Sequence, residues 1–358
     1  MTAIGRTLRV GIIGTGRAGQ SHAAAFARLD HVTVAGLWNR TRSRAEQLAA
    51  TLEQPDVVVH QNWRDLVRRP DLDIISIATP PMFRLEPFAE ALTHQRHVLV
   101  EKPLSVGLTE AKQMASLARQ ADTVTAISFN WRYSPAAQTA LRGIRTGQIG
   151  QLRDIRTEWR LRHSPLVTLW SGGAQTLREA GSHELDRLRF WTGWRFEKVV
   201  AAMSAHSAFV LAQMEGGPLA SLRVTVTNGQ PERRITICAD QGTLTLTSDW
   251  ITVQSGPDSQ ETMTLSNEVG LVMQHAGVPE PVSLEPAEPD RQPPDLVSGQ
   301  HTWNRLIADF VTAVRRGDLR HESVPHLPHV ADGLAVQQVI SACERSDTEQ
   351  RWVNLVDS

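Results

Sequence analysis

Cysteine and tyrosine are nearly absent: Cys238, Cys343 and Tyr133 are the only representatives of either type among 358 residues. Two thiols cannot frame a disulfide-stapled fold or an all-cysteine metal site, and their scarcity fits a reducing compartment. The single tyrosine has Ala137, not a lysine, four positions on, which excludes the Tyr-x-x-x-Lys dyad of short-chain reductases. Neither sign of charge is in excess, with 37 Lys+Arg against 38 Asp+Glu. A near-neutral chain has no general electrostatic reason to seek nucleic acid or an anionic membrane. Apolar runs are short: none approaches the roughly 20 residues that cross a bilayer. The first, Val10–Ile13, is too short for a secretory signal and runs into glycine, so a cytoplasmic protein is expected. The histidines are scattered, and His326 and His329 stand three apart among prolines, so no metal site is expected. Ten tryptophans lie in no basic domain, which favours packing over base stacking.

What is present is the material of a core, with 41% hydrophobic and 21% charged residues. The length suggests two domains. Short β-branched runs at Leu8–Ile13, Val32–Trp38, Val57–Val59, Ile74–Ala78, His97–Val100 and Thr123–Phe129 alternate with helical stretches such as Ala18–Leu29 and Ser43–Leu52. That alternation implies right-handed crossovers and a parallel sheet buried on both faces. After a helix near Ala136–Arg145 the pattern changes. Leu152–Arg162 alternates Ile155, Thr157, Trp159 and Leu161 with Arg156, Glu158, Arg160 and Arg162, the mark of a strand with one wet face. Strand-like runs follow at Lys198–Met203, Ala208–Met214, Ala220–Val226, Arg234–Ala239, Thr243–Thr247 and Trp250–Gln254, joined by short turns, which suggests an antiparallel sheet. Val278–Pro294 holds six prolines and reads as a surface excursion. Helices near Trp303–Arg316 and Val330–Arg345 close the chain. The fold class is therefore α/β: a doubly wound parallel sheet over 1–128, then an α+β domain with a largely antiparallel open sheet over 129–358.

Gly14-Thr15-Gly16-Arg17-Ala18-Gly19 follows a strand and opens a helix. In such a turn the first glycine permits the tight bend, the second lets backbone amides approach a pyrophosphate, and the third lets helix and strand pack closely. The helix N-terminus adds free N–H groups and a partial positive charge. Dinucleotide binding is the expectation. At the end of the second strand, where an acid favours NAD, this chain has Asn39 and Arg40, followed by Arg42. Asn39 does not repel a 2′-phosphate and an arginine can pair with one, so NADP is favoured over NAD.

Two further motifs end strands: Ala78-Thr79-Pro80-Pro81, and Val100-Glu101-Lys102-Pro103. With the glycine turn, Asn130-Trp131-Arg132-Tyr133, Gly147-Gln148-Ile149-Gly150 and Gly181-Ser182-His183-Glu184-Leu185-Asp186, they make the chain resemble the Gfo/Idh/MocA oxidoreductases (glucose–fructose oxidoreductase and inositol dehydrogenase-like proteins) along nearly its whole length. The resemblance implies a Rossmann domain and an α/β domain whose open sheet makes oligomer contacts, here a homodimer or homotetramer. It implies that Lys102 lies between nicotinamide and substrate and holds the reacting hydroxyl. It matches His183 to a proton-transferring histidine, which suits an imidazole titrating near neutrality. Thr79, Pro80, Glu101, Lys102, Asn130 and Arg132 join residues 14–19, Asn39 and Arg40 as cofactor contacts. Each role has a plain structural alternative: Lys102 as a strand-end residue, and His183 as a helix-face histidine bonded to Asp186. Two departures stand out. Glu179 replaces the family's aspartate, beside Arg178, with which it can pair, and Arg84 stands where histidine is common.

The expected function is NAD(P)-dependent hydride transfer to or from a secondary alcohol or ketone of a sugar, cyclitol or related polyol. The catalytic residues are Lys102, His183 and Glu179. The alternatives are an NAD-dependent glycosidase on the same scaffold and a non-catalytic dinucleotide-binding regulator. The row Arg156, Arg160, Arg162 and His163, running towards Trp170, is expected to be a wet sheet face or a subunit contact rather than an anion site.

Overall fold

A run such as Ile74-Ile75-Ser76-Ile77, buried at every position, can exist as a strand only where both sheet faces are covered. The computed structural model describes residues 6–54, 56–162, 172–247, 250–255, 260–265, 271–275 and 299–355, and in them the chain forms two compact units. The first comprises Met1–Tyr133 and Val297–Gln337. It is built from β1 (Leu8–Ile13), α1 (Arg17–Ala27), β2 (Val32–Trp38), α2 (Arg42–Thr51), β3 (Val58–Val59), α3 (Trp63–Arg68), β4 (Ile74–Ile77), α4 (Leu85–Thr93), β5 (His97–Val100), α5 (Leu108–Gln120) and β6 (Thr125–Ile127). The strands pair in parallel in the order β3-β2-β1-β4-β5-β6, so the order reverses between β1 and β4. Ligands of doubly wound sheets bind at that switch point, outside the strands' carboxyl ends.

The second unit comprises Ser134–Leu296 and Gln338–Ser358. It contains α6 (Pro135–Arg145), β7 (Leu152–Arg162), α7 (Gly173–Thr176), a π-helical turn over Leu177–Gly181, α8 (Ser182–Thr192), and strands β8 (Phe196–Met203), β9 (Ser207–Met214), β10 (Leu219–Thr227), β11 (Glu232–Ala239), β12 (Gly242–Thr247), β13 (Trp250–Ser255), β14 (Gln260–Leu265) and β15 (Leu271–His275). Towards the end of the chain come α9 (Gln300–Arg316), α10 (Val330–Glu349) and β16 (Val353–Asn354). The strands of the second unit form one sheet in the order β15-β14-β13-β12-β11-β7-β10-β9-β8-β16. All neighbours run antiparallel except β7 and β10, which are parallel. On β7, Ile155 and Thr157 are buried while Arg156, Glu158, Arg160 and Arg162 are exposed, so one face of that strand is wet.

The compact units are not continuous in the chain. The first unit runs on to Tyr133 and takes back Val297–Gln337. The reason is α9: its Leu306, Ile307, Phe310 and Val311 complete the core of Val10, Phe26, Val34 and Leu37. The stretch after it also covers an open sheet edge: Ile127 N–H donates to Pro328 O at 3.1 Å, and Ala126 bridges to His329. Strands β14 and β15 were not expected. The surface excursion read at Val278–Pro294, His163 and Trp170 lie outside the described residues. Among the described residues, no helix is long and apolar enough to cross a membrane.

Candidate cofactor and catalytic site

The parallel strands end in register. Trp38 pairs with Ile13, Ile13 with Ile77, Ile77 with Val100, and Val100 with Ile127. The next residue of each strand continues the ladder: Gly14 N–H donates to Trp38 O, Ala78 N–H to Ile13 O, Glu101 N–H to Ile77 O, and Ser128 N–H to Val100 O, all at 2.8–2.9 Å. One carboxyl edge therefore carries the glycine turn, Asn39, Thr79, Glu101 and Lys102 side by side.

The three glycines do different work. Gly14 has φ +96°, and a Cβ there would stand 2.7 Å from Ala78 O, so only glycine fits. A Cβ on Gly19 would stand 1.9 Å from Gly14 O, which is the close helix–strand packing expected of the third glycine. Around Gly16 nothing lies within 4 Å of an added Cβ. Gly16 caps α1 without a side-chain bond and no acid stands in the first turn, so the helix N–H groups are free to meet an anion. Thr15 adds a fully buried hydroxyl that has no hydrogen-bond partner. An open backbone cradle with an orphaned hydroxyl fits a dinucleotide's pyrophosphate. Arg17 is exposed and Ala18 half-buried beside it.

Asn39 Oδ1 accepts from Thr15 N–H at 3.1 Å and its Nδ2 donates to Thr41 O at 3.0 Å, so the amide braces the turn. The Arg40 guanidinium lies 5.9 Å from the centre of the exposed Phe83 ring, whereas Arg42 pairs with Glu46 at 2.6 Å. Thr79 is buried, its hydroxyl donating to Phe83 O at 3.3 Å, and Pro80 is exposed.

Lys102 is half-buried and held from both sides of its backbone. Its N–H donates to Glu101 Oε2 at 3.0 Å, and its carbonyl accepts from Arg84 Nη2 at 3.3 Å. Arg84, 4% exposed, also donates to the carbonyls of Thr79, Glu101 and Pro103. Arg84 is thus a clamp that ties the ends of β4 and β5 together. Glu101 is buried and its other oxygen accepts from His22 Nε2 at 3.1 Å and Trp303 Nε1 at 3.3 Å. Burial drives the Glu101 carboxyl up, but the His22 hydrogen bond and the charges of His22, Lys102 and Arg84 outweigh it and leave it at about 2. His22, Ser76 and Trp303 escaped the sequence reading. The available signal was a histidine on the sheet-facing stripe of α1, in step with Gly19 and Phe26.

Asn130 and Arg132 lie in a short 3₁₀ turn, Asn130–Tyr133, beyond β6. Asn130 Nδ2 donates to Thr302 Oγ1 at 2.6 Å, and Arg132 pairs with Asp332 at 3.1 Å. Both are buried, so they at least anchor the strand end on α9 and α10.

In the second unit, Glu179 sits in the π-helical turn and His183 on the first turn of α8. Single π turns inside helices occur frequently at functional sites. Glu179 is half-buried and accepts from Gln175 Nε2 at 3.2 Å. Arg178 does not take Glu179 as its ion-pair partner; it pairs with Glu344 and donates to Gln175 Oε1. His183 and Asp186 are buried, 6% and 1% exposed. Between them Glu184, fully enclosed, receives Arg187 from its own helix and Arg233 Nη2 from β11 at 2.6 Å. Burial pushes the Glu184 carboxyl up against the pull of Arg187. This ion triad fixes α8, and with it His183, to the sheet. The basic row of β7 is solvated: Arg156 pairs with Asp154, and Arg160 with Glu232.

A family model described as "Oxidoreductase family, NAD-binding Rossmann fold" matches residues 8–129, and its companion "Oxidoreductase family, C-terminal alpha/beta domain" matches residues 142–355. The chain belongs to the Gfo/Idh/MocA oxidoreductase family. Among characterised relatives, levoglucosan dehydrogenase of Pseudarthrobacter phenanthrenivorans is 26% identical over 56% of this chain and 54% of its own length. Myo-inositol 2-dehydrogenase of Thermotoga maritima is 22% identical over 54% of this chain and 58% of its own length. The chain thus spans little more than half the length of these curated relatives. Among solved structures, an oxidoreductase domain protein from Kribbella flavida superposes with a TM-score of 0.76 at 24% identity, covering 98% of this chain and 99% of that one. Levoglucosan dehydrogenase in complex with NADH and levoglucosan gives 0.76 at 21% identity, covering 97% and 98%. At these identities the superpositions establish the fold.

Proposed function

We propose that the protein is an NAD(P)-dependent dehydrogenase or reductase acting on a secondary alcohol or ketone of a sugar, cyclitol or related polyol. The observation that carries this is one carboxyl edge bearing both an open phosphate cradle at Gly16 and a lysine clamped by Glu101 and Arg84. The substrate class is supported by relatives named as levoglucosan and myo-inositol dehydrogenases. The amides of residues 16–19 hold the pyrophosphate, with Thr79, Pro80, Glu101, Asn130 and Arg132 assigned to the rest of the cofactor. When bound, the nicotinamide supplies the hydride donor or acceptor. The Lys102 ammonium donates a hydrogen bond to the reacting oxygen. In oxidation the His183 imidazole takes the hydroxyl proton, and in reduction it returns one. Glu179, on the π turn before it, positions that proton transfer. Asn39 and Arg40 support NADP over NAD, because neither repels a 2′-phosphate and Arg40 can pair with it; the levoglucosan dehydrogenase was crystallised with NADH.

The test is titration with NADPH and NADH, followed by energy transfer from tryptophan to nicotinamide, with Lys102→Ala as the variant. Both proteins should bind the cofactor alike, with NADPH tighter. Lys102→Ala should lose on the order of 10²–10⁴-fold in kcat/KM on the responsive polyol. Full turnover in a folded Lys102→Ala protein removes Lys102 from the chemistry. Failure of the wild type to bind either dinucleotide overturns the oxidoreductase function.

A further inference from the structure

Behind Lys102 lies a closed polar cluster drawn from five segments of the chain. His22, fully buried on α1, has Nδ1 2.7 Å from Ser76 Oγ on β4 and Nε2 3.1 Å from Glu101 Oε1. Ser128, the residue after β6, accepts from Trp303 Nε1 at 3.2 Å, and the same indole reaches Glu101 Oε1 at 3.3 Å. An ionised carboxylate only accepts, so His22 Nε2 must carry the proton it donates. The two oxygens of Glu101 are then divided. One is held by His22 and Trp303 in the interior, and the other receives Lys102 N–H at 3.0 Å.

We propose that His22 is a positioning residue of the dehydrogenase site: by fixing Glu101 it fixes the backbone from which the Lys102 ammonium is presented. The role rests on the function proposed above. A buried imidazole–carboxylate pair is a poor device for stability alone, since apolar residues of similar volume commonly serve as well. Here its outward oxygen engages a backbone N–H at a strand end, one residue beyond the ladder bond that Glu101 N–H makes to Ile77 O. The charged and titratable groups around the cluster are Glu101, Lys102, Arg84 and His22 itself. Moreover, α1 opens at the glycine turn, so the helix that offers its N-terminus to the cofactor also presents His22 two turns on.

The chain has only three lysines, Lys102, Lys112 and Lys198. Reductive ¹³C-methylation therefore gives three side-chain NMR signals, assignable by single Lys→Arg substitutions, and Lys102 can be followed without substrate. In His22→Leu the donor to Glu101 is lost. Its Lys102 signal should gain a titration step above the wild-type Glu101 value of about 2, as burial is then opposed only by Lys102 and Arg84. Its kcat should fall on the order of 10²-fold, with KM for cofactor and polyol within about threefold. His22→Gln, which places an amide N–H where Nε2 stood, should restore most of both. An unchanged Lys102 titration and kcat in His22→Leu overturns the proposal, as does equal impairment in His22→Gln. Should the leucine variant not fold, His22→Gln against the shorter His22→Asn decides: glutamine reaches Glu101 and asparagine does not, and identical Lys102 titrations in the two overturn the role. A wild type inactive on every polyol overturns the dehydrogenase function instead, while the NMR titration still decides for or against His22.

Discussion

Single side chains set the acid behaviour of the dinucleotide-binding unit. His321 is 2% exposed and stacks on His329 with ring centres 3.8 Å apart. Its Nδ1 donates to Leu327 O, which leaves Nε2 unprotonated and buried. Burial, and the neighbouring His329, lower His321 to about 4. Between that value and the 6.5 of the unfolded chain, the unfolded state binds more protons. The stability linked to neutral His321 is therefore present above pH 6.5 and lost as pH falls towards 4. Its size is on the order of 3 kcal/mol. His60, His97 and His301 are also lowered by burial and act in the same direction. Glu101 acts in the same sense over a lower range: with its carboxyl lowered to about 2, its contribution is lost as pH falls through the ordinary carboxylate range towards that value. The urea midpoint should thus climb between pH 4.5 and 6.5, and His321→Phe, which keeps a ring for stacking, should flatten the climb. Equal midpoints at the two pH values in the wild type would exclude this linkage. Lys102 and the glycines were legible as residues because each lies in a local motif. His22 was not, because its partners Ser76 and Glu101 are 54 and 79 positions away.

Elements carry the division of labour around the glycine turn. Gly16→Val adds a side chain to open space at φ −72°, a conformation valine adopts freely. It should leave the melting temperature within about 2 °C while abolishing NADPH binding in the tryptophan titration. Gly19→Ala drives a methyl into Gly14 O, and should cost about 1–3 kcal/mol by thermal unfolding. Reversed outcomes would mean that Gly16 supports the fold and Gly19 the ligand. At this scale much was legible. β1, β2, β5 and β7 begin and end at the residues their apolar or alternating patterns indicate. β14 and β15 were missed, because Gln260–Leu265 and Leu271–His275 become strands through antiparallel pairing outward from β13, a relation no local pattern encodes. The π turn was equally invisible, since it differs from an α-helix only by one inserted residue.

Across the whole molecule, the chain's return after the second sheet is the feature that local reading cannot reach. α9 gives the first unit its last core residues, and its partners lie near residues 10–37. The second unit shows a sheet face with Phe209 46%, Leu211 37% and Leu219 46% exposed, Phe209 lying under Arg223. Three large apolar side chains on two neighbouring strands support a second copy as the covering surface. Sedimentation of the wild type should give a dimer or tetramer, and Leu211→Glu should shift it to monomer without changing NADPH affinity. A wild-type monomer at micromolar concentration would reject that assembly.

The sequence by itself determined the parallel and open-sheet classes, the phosphate-binding turn and the strand-end lysine. Each depends on a period of two or 3.6 residues, or on a motif within six positions. Tertiary structure alone decided that Asn39 braces the glycine turn, that Arg84 clamps two strand ends, that Glu184 is shared by Arg187 and Arg233, and that His22 and Trp303 meet on Glu101. Except for Glu184–Arg187, three positions apart on one helix, these are bonds between groups far apart in the chain. They form because a buried charge or amide must find a partner wherever packing brings one within reach.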